Sequence, residues 1–145
     1  MDENIELIEH IYKDSSMAVY NLTKLLNDLK EKDNKIKSTI EDILKRYEEF
    51  VSKTKDELKN NGSPLEEEGT IAKMMSSMGI HKEVKKDNSD SSIADMLIKG
   101  ISMGSIDMEK KIKDYDDEVN KDYLKIAKDF MKFQEKTIED LKKFL

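Results

Sequence analysis

Residues 4–29 decide the fold and read NIELIEHIYKDSSMAVYNLTKLLNDL. Steps of three and four separate the members of one stripe along this segment: Ile8, Ile11, Ser15, Ala18, Leu22, Leu25 and Leu29. A stripe with this spacing lies on one side of an α-helix, because a helical turn takes 3.6 residues. The segment therefore predicts a long amphipathic helix whose apolar side faces the core of a helical bundle.

The same spacing continues along the chain and predicts further helices. The second helix covers 34–60, a shorter one covers 70–86, and two more cover 92–114 and 117–144. No segment shows the alternation of apolar and polar residues, rich in β-branched types, that is typical of strands. We therefore predict an all-α fold in a single domain, residues 1–145. Its architecture is a four-helix bundle with a helical crossover between the second and third long helices.

Residues with special backbone or capping properties mark the ends of these helices. Asp33 and Ser92 are predicted to cap the helices that follow them, because their side-chain oxygens accept hydrogen bonds from free backbone N–H groups. Gly62 lies where a left-handed residue commonly ends a helix. Pro64, just beyond it, prevents simple continuation.

The composition limits the functions that are open to the chain. Charged residues make up 40% of it, the net charge is −6, and there is no cysteine. Without cysteine the chain has no disulfides, thiolate metal sites or cysteine nucleophiles. The acidic balance disfavours binding to nucleic-acid phosphates, which relies on lysine and arginine. No apolar run reaches the roughly 18 residues of a membrane span, and residues 1–4 lack the basic start of a signal peptide, so we expect a cytoplasmic protein.

The order of the helices and of the segments between them forms a further pattern. Two long helices are followed by Asn61-Gly62-Ser63-Pro64, then by Gly69-Thr70-Ile71-Ala72, a short helix, and a third long helix that contains Met103-Gly104. This layout resembles the ferritin-like superfamily, and within it small bacterial bundles of unknown function. The resemblance implies the bundle fold with its crossover. In active members it also implies a di-iron site made of inward-pointing Glu residues and two Glu-x-x-His motifs.

The chain departs from the ligand pattern that the resemblance implies. Its only histidines are His10 and His81, so the second and fourth long helices contain no Glu-x-x-His motif. The positions where ligands would lie carry neither carboxylate nor imidazole: Ser15, Ala18, Leu44, Tyr47, Gly104, Ser105, Phe130, Gln134 and Thr137. We therefore expect no metal and no cofactor. Both histidines are interpreted as exposed helical residues.

Methionines are concentrated in the second half of the chain. Six of the nine are Met74, Met75, Met78, Met96, Met103 and Met108. Thioethers bind Cu(I), but cysteine and nearby histidine ligands are missing, so we favour adaptable packing under the crossover. If the crossover helix lifts away from the bundle, four of its residues form an apolar interaction surface: Ile71, Met74, Met75 and Met78.

Gly100 and Gly104 lie four residues apart in one predicted helix and therefore share a face. Glycine inside a helix costs roughly 1 kcal/mol relative to alanine. Close helix packing compensates for this cost, and so does a cavity that leaves room for a small ligand. Of the two explanations we favour packing.

No catalytic motif emerges from the sequence. The five glycines form no phosphate-binding loop, and no serine is predicted to meet a histidine on a rigid element. We therefore predict no catalytic residues and a noncatalytic interaction or structural protein, whose partner is another protein or a second copy in a homo-oligomer such as a dimer. Two alternatives stay open: a metal-handling or oxidoreductase bundle with an unconventional site, and a carrier of a small apolar ligand that uses the methionine-rich region.

Overall fold

The computed structural model of the chain describes the backbone of residues 3–63, 65, 70–115 and 120–145, and the side chains of 5–63, 65, 73, 75–115 and 120–145. These ranges contain five helices: α1 (Glu3–Asp28), α2 (Lys37–Asn60), α3 (Thr70–Lys86), α4 (Asp90–Tyr115) and α5 (Lys121–Lys142). They contain no strand, so the predicted all-α class is confirmed. Over the same ranges, no helix is both long and apolar enough to cross a bilayer.

The beginning of α2 differs from the prediction because the residues before it bond to a distant part of the chain. Asn34 Nδ2 donates to Asp90 Oδ1 at 2.9 Å, and the backbone N–H of Lys35 donates to Asp90 Oδ2 at 3.2 Å. These bonds hold the α1–α2 loop against the first residue of α4. The helix begins at Lys37 with Ile36 at its N-cap position and no side-chain cap bond. The prediction that Asp33 caps α2 is therefore wrong.

The helix beginning predicted at 92 lies two residues earlier, at Asp90. Ser89 Oγ accepts a hydrogen bond from the backbone N–H of Ser92 at 3.1 Å. Ser89 rather than Ser92 is therefore the capping side chain, and the prediction for Ser92 is wrong. At the beginning of α5 the same role belongs to Asn120, whose Oδ1 accepts from the N–H of Asp122 at 2.7 Å.

The C-terminus of α2 ends on a left-handed glycine, as predicted. Gly62 has φ of 67°. The N–H of Ser63 donates to the Leu58 carbonyl at 2.9 Å, and the N–H of Gly62 donates to the Lys59 carbonyl at 3.0 Å. These two bonds define a Schellman motif, which satisfies carbonyls that the helix end leaves free. Pro64 and Gly69 lie outside the described residues.

The helix α1 is the element around which the others pack, since it contacts each of α2, α3, α4 and α5. Most of its predicted stripe is buried: Ile8, Ile11, Ser15, Leu22, Leu25 and Leu29. Between α2 and α5 an aromatic cluster extends this core, with the ring centroids of Tyr47 and Phe133 4.8 Å apart. Fully burying a large apolar side chain contributes about 1.5–3 kcal/mol. The faces of α1, α2 and α5 that meet here therefore stabilise the fold far more than exposed ion pairs do.

Two polar contacts join α3 to α1. Asn21 Nδ2 donates to Ser76 Oγ at 2.9 Å. One and a half turns along α3, His81 Nδ1 lies 3.1 Å from Asp28 Oδ2. His81 is exposed, as predicted, but its acidic partner is on another helix, where spacing along one helix does not reveal it.

Candidate ligand cavity

Side chains from all five helices line one cavity of about 370 Å³. We call it the five-helix cavity. Its walls are mostly apolar and include Met17, Ala18, Leu22, Ile80, Met96 and Ile101. Its polar floor consists of Asp14, Tyr47 and Gln134. The cavity is thus an apolar space with a few polar groups concentrated in one place, which is the usual composition of a small-molecule site.

Gln134 is the central residue of the floor, and only 1% of its surface is exposed. Its Nε2 donates to Asp14 Oδ2 at 3.3 Å. Because a carboxylate only accepts hydrogen bonds, this contact fixes which end of the amide faces Asp14. The amide oxygen, Oε1, is buried and has no hydrogen-bond partner. An unpaired buried polar atom costs about 1–3 kcal/mol, so this oxygen is a notable feature of the core.

A second polar group lies at the side of the cavity where α1 meets α3. Asn21 and Ser76, which are joined by the hydrogen bond described above, both line it. Asn21 Oδ1 is buried and has no partner, as is the case for Gln134 Oε1. Two amide side chains that line the cavity, on α1 and α5, therefore each have a buried oxygen without a hydrogen-bond partner.

Tyr47 completes the floor from α2, and its phenol stays neutral over a wide pH range. Burial raises the pKa of Tyr47 well above its ordinary value, and the negative charge of Asp14 raises this pKa further. The contact with the Gln134 amide lowers the pKa but is the smallest of the three effects. A neutral phenol in this position both donates and accepts hydrogen bonds.

Gly104 and Gly100 on α4 have different roles, although they share a face. A Cβ atom on Gly104 would lie 2.9 Å from Gln134 Nε2 and 3.1 Å from Asp14 Oδ2, so α4 approaches the floor only because this residue lacks a side chain. Packing at Gly104 agrees with the explanation favoured above. At Gly100 that explanation is wrong, because a Cβ there meets no atom within 4 Å and the residue lines the cavity.

The predicted apolar surface is only partly described. Met75 and Met78 are exposed, at 68% and 57% of their surface. The side chains of Ile71 and Met74 lie outside the described residues. Neither exposed methionine lines the five-helix cavity, whose methionines are Met17 and Met96. The structure therefore separates an outer methionine surface on α3 from an inner cavity that the sequence did not distinguish from it.

Three of the nine positions taken from the resemblance lie close together in the structure, with one further residue. Tyr47, Gln134 and Gly104 lie together, and Asp14 joins them. The nine positions themselves carry no carboxylate, as stated above, but Asp14, the neighbour of Ser15, reaches this part of the core. Within the residues that the structure describes, no three His, Asp or Glu side chains converge as metal ligands would.

The chain was compared with protein-family models, with curated proteins and with solved structures, and none of the three comparisons found a match.

Gly104→Ala is expected to lower the free energy of unfolding by about 1–3 kcal/mol, which is typical of overpacking. The added Cβ pushes on two side-chain atoms that are hydrogen-bonded to each other, so both must shift to make room for it. Gly100→Ala is the matched control and should leave stability equal or raise it by up to about 1 kcal/mol. Urea denaturation followed by circular dichroism measures both, and equal effects of the two substitutions would contradict this assignment.

The raised pKa of Tyr47 predicts a loss of stability in alkali. The unfolded chain releases the phenol proton near its ordinary pKa of 10.0, whereas the folded protein retains it. Above about pH 10 this difference lowers the free energy of unfolding by up to about 1.4 kcal/mol for each further pH unit. Between about pH 9 and about pH 11 the wild type should lose more unfolding free energy than Tyr47→Phe. If the free energy of unfolding from urea denaturation falls equally with pH in the two proteins, this effect is excluded.

Proposed function

We propose that this protein is a noncatalytic helical bundle that binds a small ligand in the five-helix cavity. The observation that carries the proposal is Gln134 Oε1, a buried acceptor without a partner on the floor of that cavity. Its unpaired state costs about 1–3 kcal/mol. A ligand with a hydrogen-bond donor recovers this free energy on binding, which gives the buried amide a function.

The size and the walls of the cavity support the same proposal. Its volume of about 370 Å³ lies within the roughly 300–1,000 Å³ that is usual for small-molecule sites. Met17 and Met96 are both on its walls. Methionine is flexible and polarisable, so it adapts to apolar ligands of different shape. This agrees with the alternative of a small-ligand carrier that uses methionines, although the methionines concerned are not those of the predicted surface.

The floor is suited to recognition more than to chemistry. The Gln134 amide does not titrate, and the raised pKa of Tyr47 keeps its phenol from acting as a base near neutral pH. Asp14 supplies a negative charge and accepts a hydrogen bond from Gln134. These groups orient a bound molecule without activating a nucleophile, so we assign the site a binding role.

We also infer that the helices adopt the ferritin-like bundle arrangement. In this arrangement α1, α2, α4 and α5 form the bundle and α3 is the crossover. The observations in its favour are that α1 packs mainly on α2, that α4 packs mainly on α5, and that α3 lies on α1. The proposal includes the arrangement alone, with the five-helix cavity in place of a metal centre.

Benzyl alcohol, a small neutral compound with one donor, is the probe that tests cavity binding. Its titration, followed by heteronuclear NMR of the backbone amides, should shift the resonances of cavity residues such as Asn21, Ser76 and Gly100. Gly100→Leu should weaken binding at least tenfold, because the new side chain enters the open space at this position. Gly79→Leu is the control: a Cβ there also meets nothing within 4 Å, but Gly79 does not line the cavity.

The proposal requires that the two leucine variants differ. Equal affinity of Gly100→Leu and Gly79→Leu for benzyl alcohol would place the binding elsewhere. A lack of any saturable shift in the wild type would overturn cavity binding for this class of compound. The thermal unfolding of both variants shows whether each is folded under the conditions of the titration.

Self-association through α3 is a second candidate function. It corresponds to the interaction protein predicted from the sequence. Met75 and Met78 are among the large exposed apolar residues of the described chain, and such residues often mark interfaces. In addition, α3 carries four lysines and one glutamate, Lys73, Lys82, Lys85, Lys86 and Glu83, on a chain whose net charge is −6. A basic, methionine-bearing helix is complementary to the acidic surface of a second copy.

Sedimentation equilibrium over a range of protein concentrations tests this second candidate. The wild type should show reversible self-association, and Met75→Gln with Met78→Gln should weaken it at least tenfold. Met103→Gln, at an exposed methionine of α4, is the control and should associate as the wild type does. A monomeric mass at every concentration, or the same loss in the control, would exclude an interface on α3.

A further inference from the structure

Each of the three residues on the floor of the five-helix cavity has an oxygen atom that accepts hydrogen bonds. Gln134 turns its Oε1 away from Asp14, because its Nε2 is already bonded to that carboxylate. Asp14 contributes carboxylate oxygens, which accept hydrogen bonds only. Asn21 Oδ1 is a third acceptor along the wall. A ligand that satisfies this set must bring donors.

The charge of the residues that line the cavity also favours a ligand that donates hydrogen bonds. Asp14 is the only residue among those that line it with a charged side chain, since no lysine, arginine or histidine does so within the described part of the chain. The negative charge of Asp14 acts inside the core, since it helps to raise the pKa of the buried Tyr47. In an environment of low polarity, the attraction between opposite charges is stronger than in water. A positively charged group is therefore favoured over a neutral one at the floor.

We propose that the five-helix cavity recognises a primary amine in its protonated form, with a compact apolar body. The ammonium group donates to Gln134 Oε1 and to the Asp14 carboxylate, and its body lies among Met17, Met96 and Ile101. An ammonium group has three donors and no acceptor, which matches a floor with a carboxylate, an amide oxygen without a partner and a phenol oxygen that also accepts hydrogen bonds. This inference rests on the proposed function, since it names the class of ligand for the same cavity.

A primary ammonium fits better than the other cations that proteins bind. Hard divalent ions such as Ca²⁺ and Mg²⁺ take six or more oxygen ligands, whereas this floor offers one carboxylate. The apolar walls would contribute nothing to a bare ion. They stabilise the carbon body of an amine by roughly 25 cal/mol for each Å² of apolar surface removed from water.

Benzylamine and benzyl alcohol provide a matched pair for the test, because they have the same ring and differ in the charge of the donor group. Both are titrated at pH 7 into the full-length protein and followed by heteronuclear NMR, with Mg²⁺ titrated separately as the bare cation. Benzylamine is expected to bind at least tenfold more tightly than benzyl alcohol. Mg²⁺ is expected to cause no saturable shift of the cavity residues.

Two variants test separately the contributions of the Asp14 charge and of the Gln134 acceptor to binding. Asp14→Asn keeps an oxygen acceptor and removes the charge, so it should weaken benzylamine more than benzyl alcohol and abolish most of the preference for benzylamine. Gln134→Met removes the acceptor and should weaken both compounds at least fivefold. Gln134→Met removes the donor to Asp14 as well as the unpaired oxygen, so its thermal unfolding is measured to show that it is folded under the conditions of the titration.

The outcomes distinguish the ligand class from the proposed function. Equal affinity for the two compounds, a preference that survives Asp14→Asn, or saturable Mg²⁺ binding at the floor would overturn the amine assignment. In these cases the proposed function is retained if Gly100→Leu still weakens the binding of benzyl alcohol. If neither compound shifts the cavity residues of the wild type, the amine assignment and the proposed function both fail.

Discussion

The hydrogen bond between Gln134 and Asp14 is the interaction on which the site depends. It joins α5 to α1 across 120 residues of sequence. It fixes the orientation of the Gln134 amide, and it leaves Oε1 facing away from the carboxylate without a partner. The helix α4 passes close to this bond only because Gly104 has no side chain. Three helices therefore meet at one polar contact.

Much of the fold could be predicted because helical periodicity is a local property. The stripe of residues 4–29 became α1, and the shorter helix predicted over 70–86 is α3. Gly62 ended its helix as predicted, since a left-handed glycine depends only on its neighbours. The predictions for Asp33 and Ser92 were wrong. At Asp33 the reason is physical: the beginning of α2 is set by bonds to Asp90, which lies far away in sequence.

The site could be predicted much less well. Periodicity and the ferritin-like resemblance identified Tyr47, Gly104 and Gln134 as central, yet they did not show that Asp14 turns inward beside Ser15. That outcome depends on how α1 is rotated against α4 and α5, which no local pattern specifies. A glutamine in register with Phe130 and Leu141 was the one signal in the sequence, because a polar residue on a buried face requires a partner. The exposed Met75 and Met78 drew attention to the outside of α3, whereas the cavity lies on its inner side.

A crystal structure of the protein soaked with benzylamine tests amine binding directly. One benzylamine molecule is expected in the five-helix cavity, with its nitrogen within about 3 Å of Gln134 Oε1 and of the Asp14 carboxylate. Its ring should lie against Met17 and Met96. A cavity that contains only ordered water at Gln134 Oε1, or an amine that binds with its nitrogen away from the floor, would contradict the account.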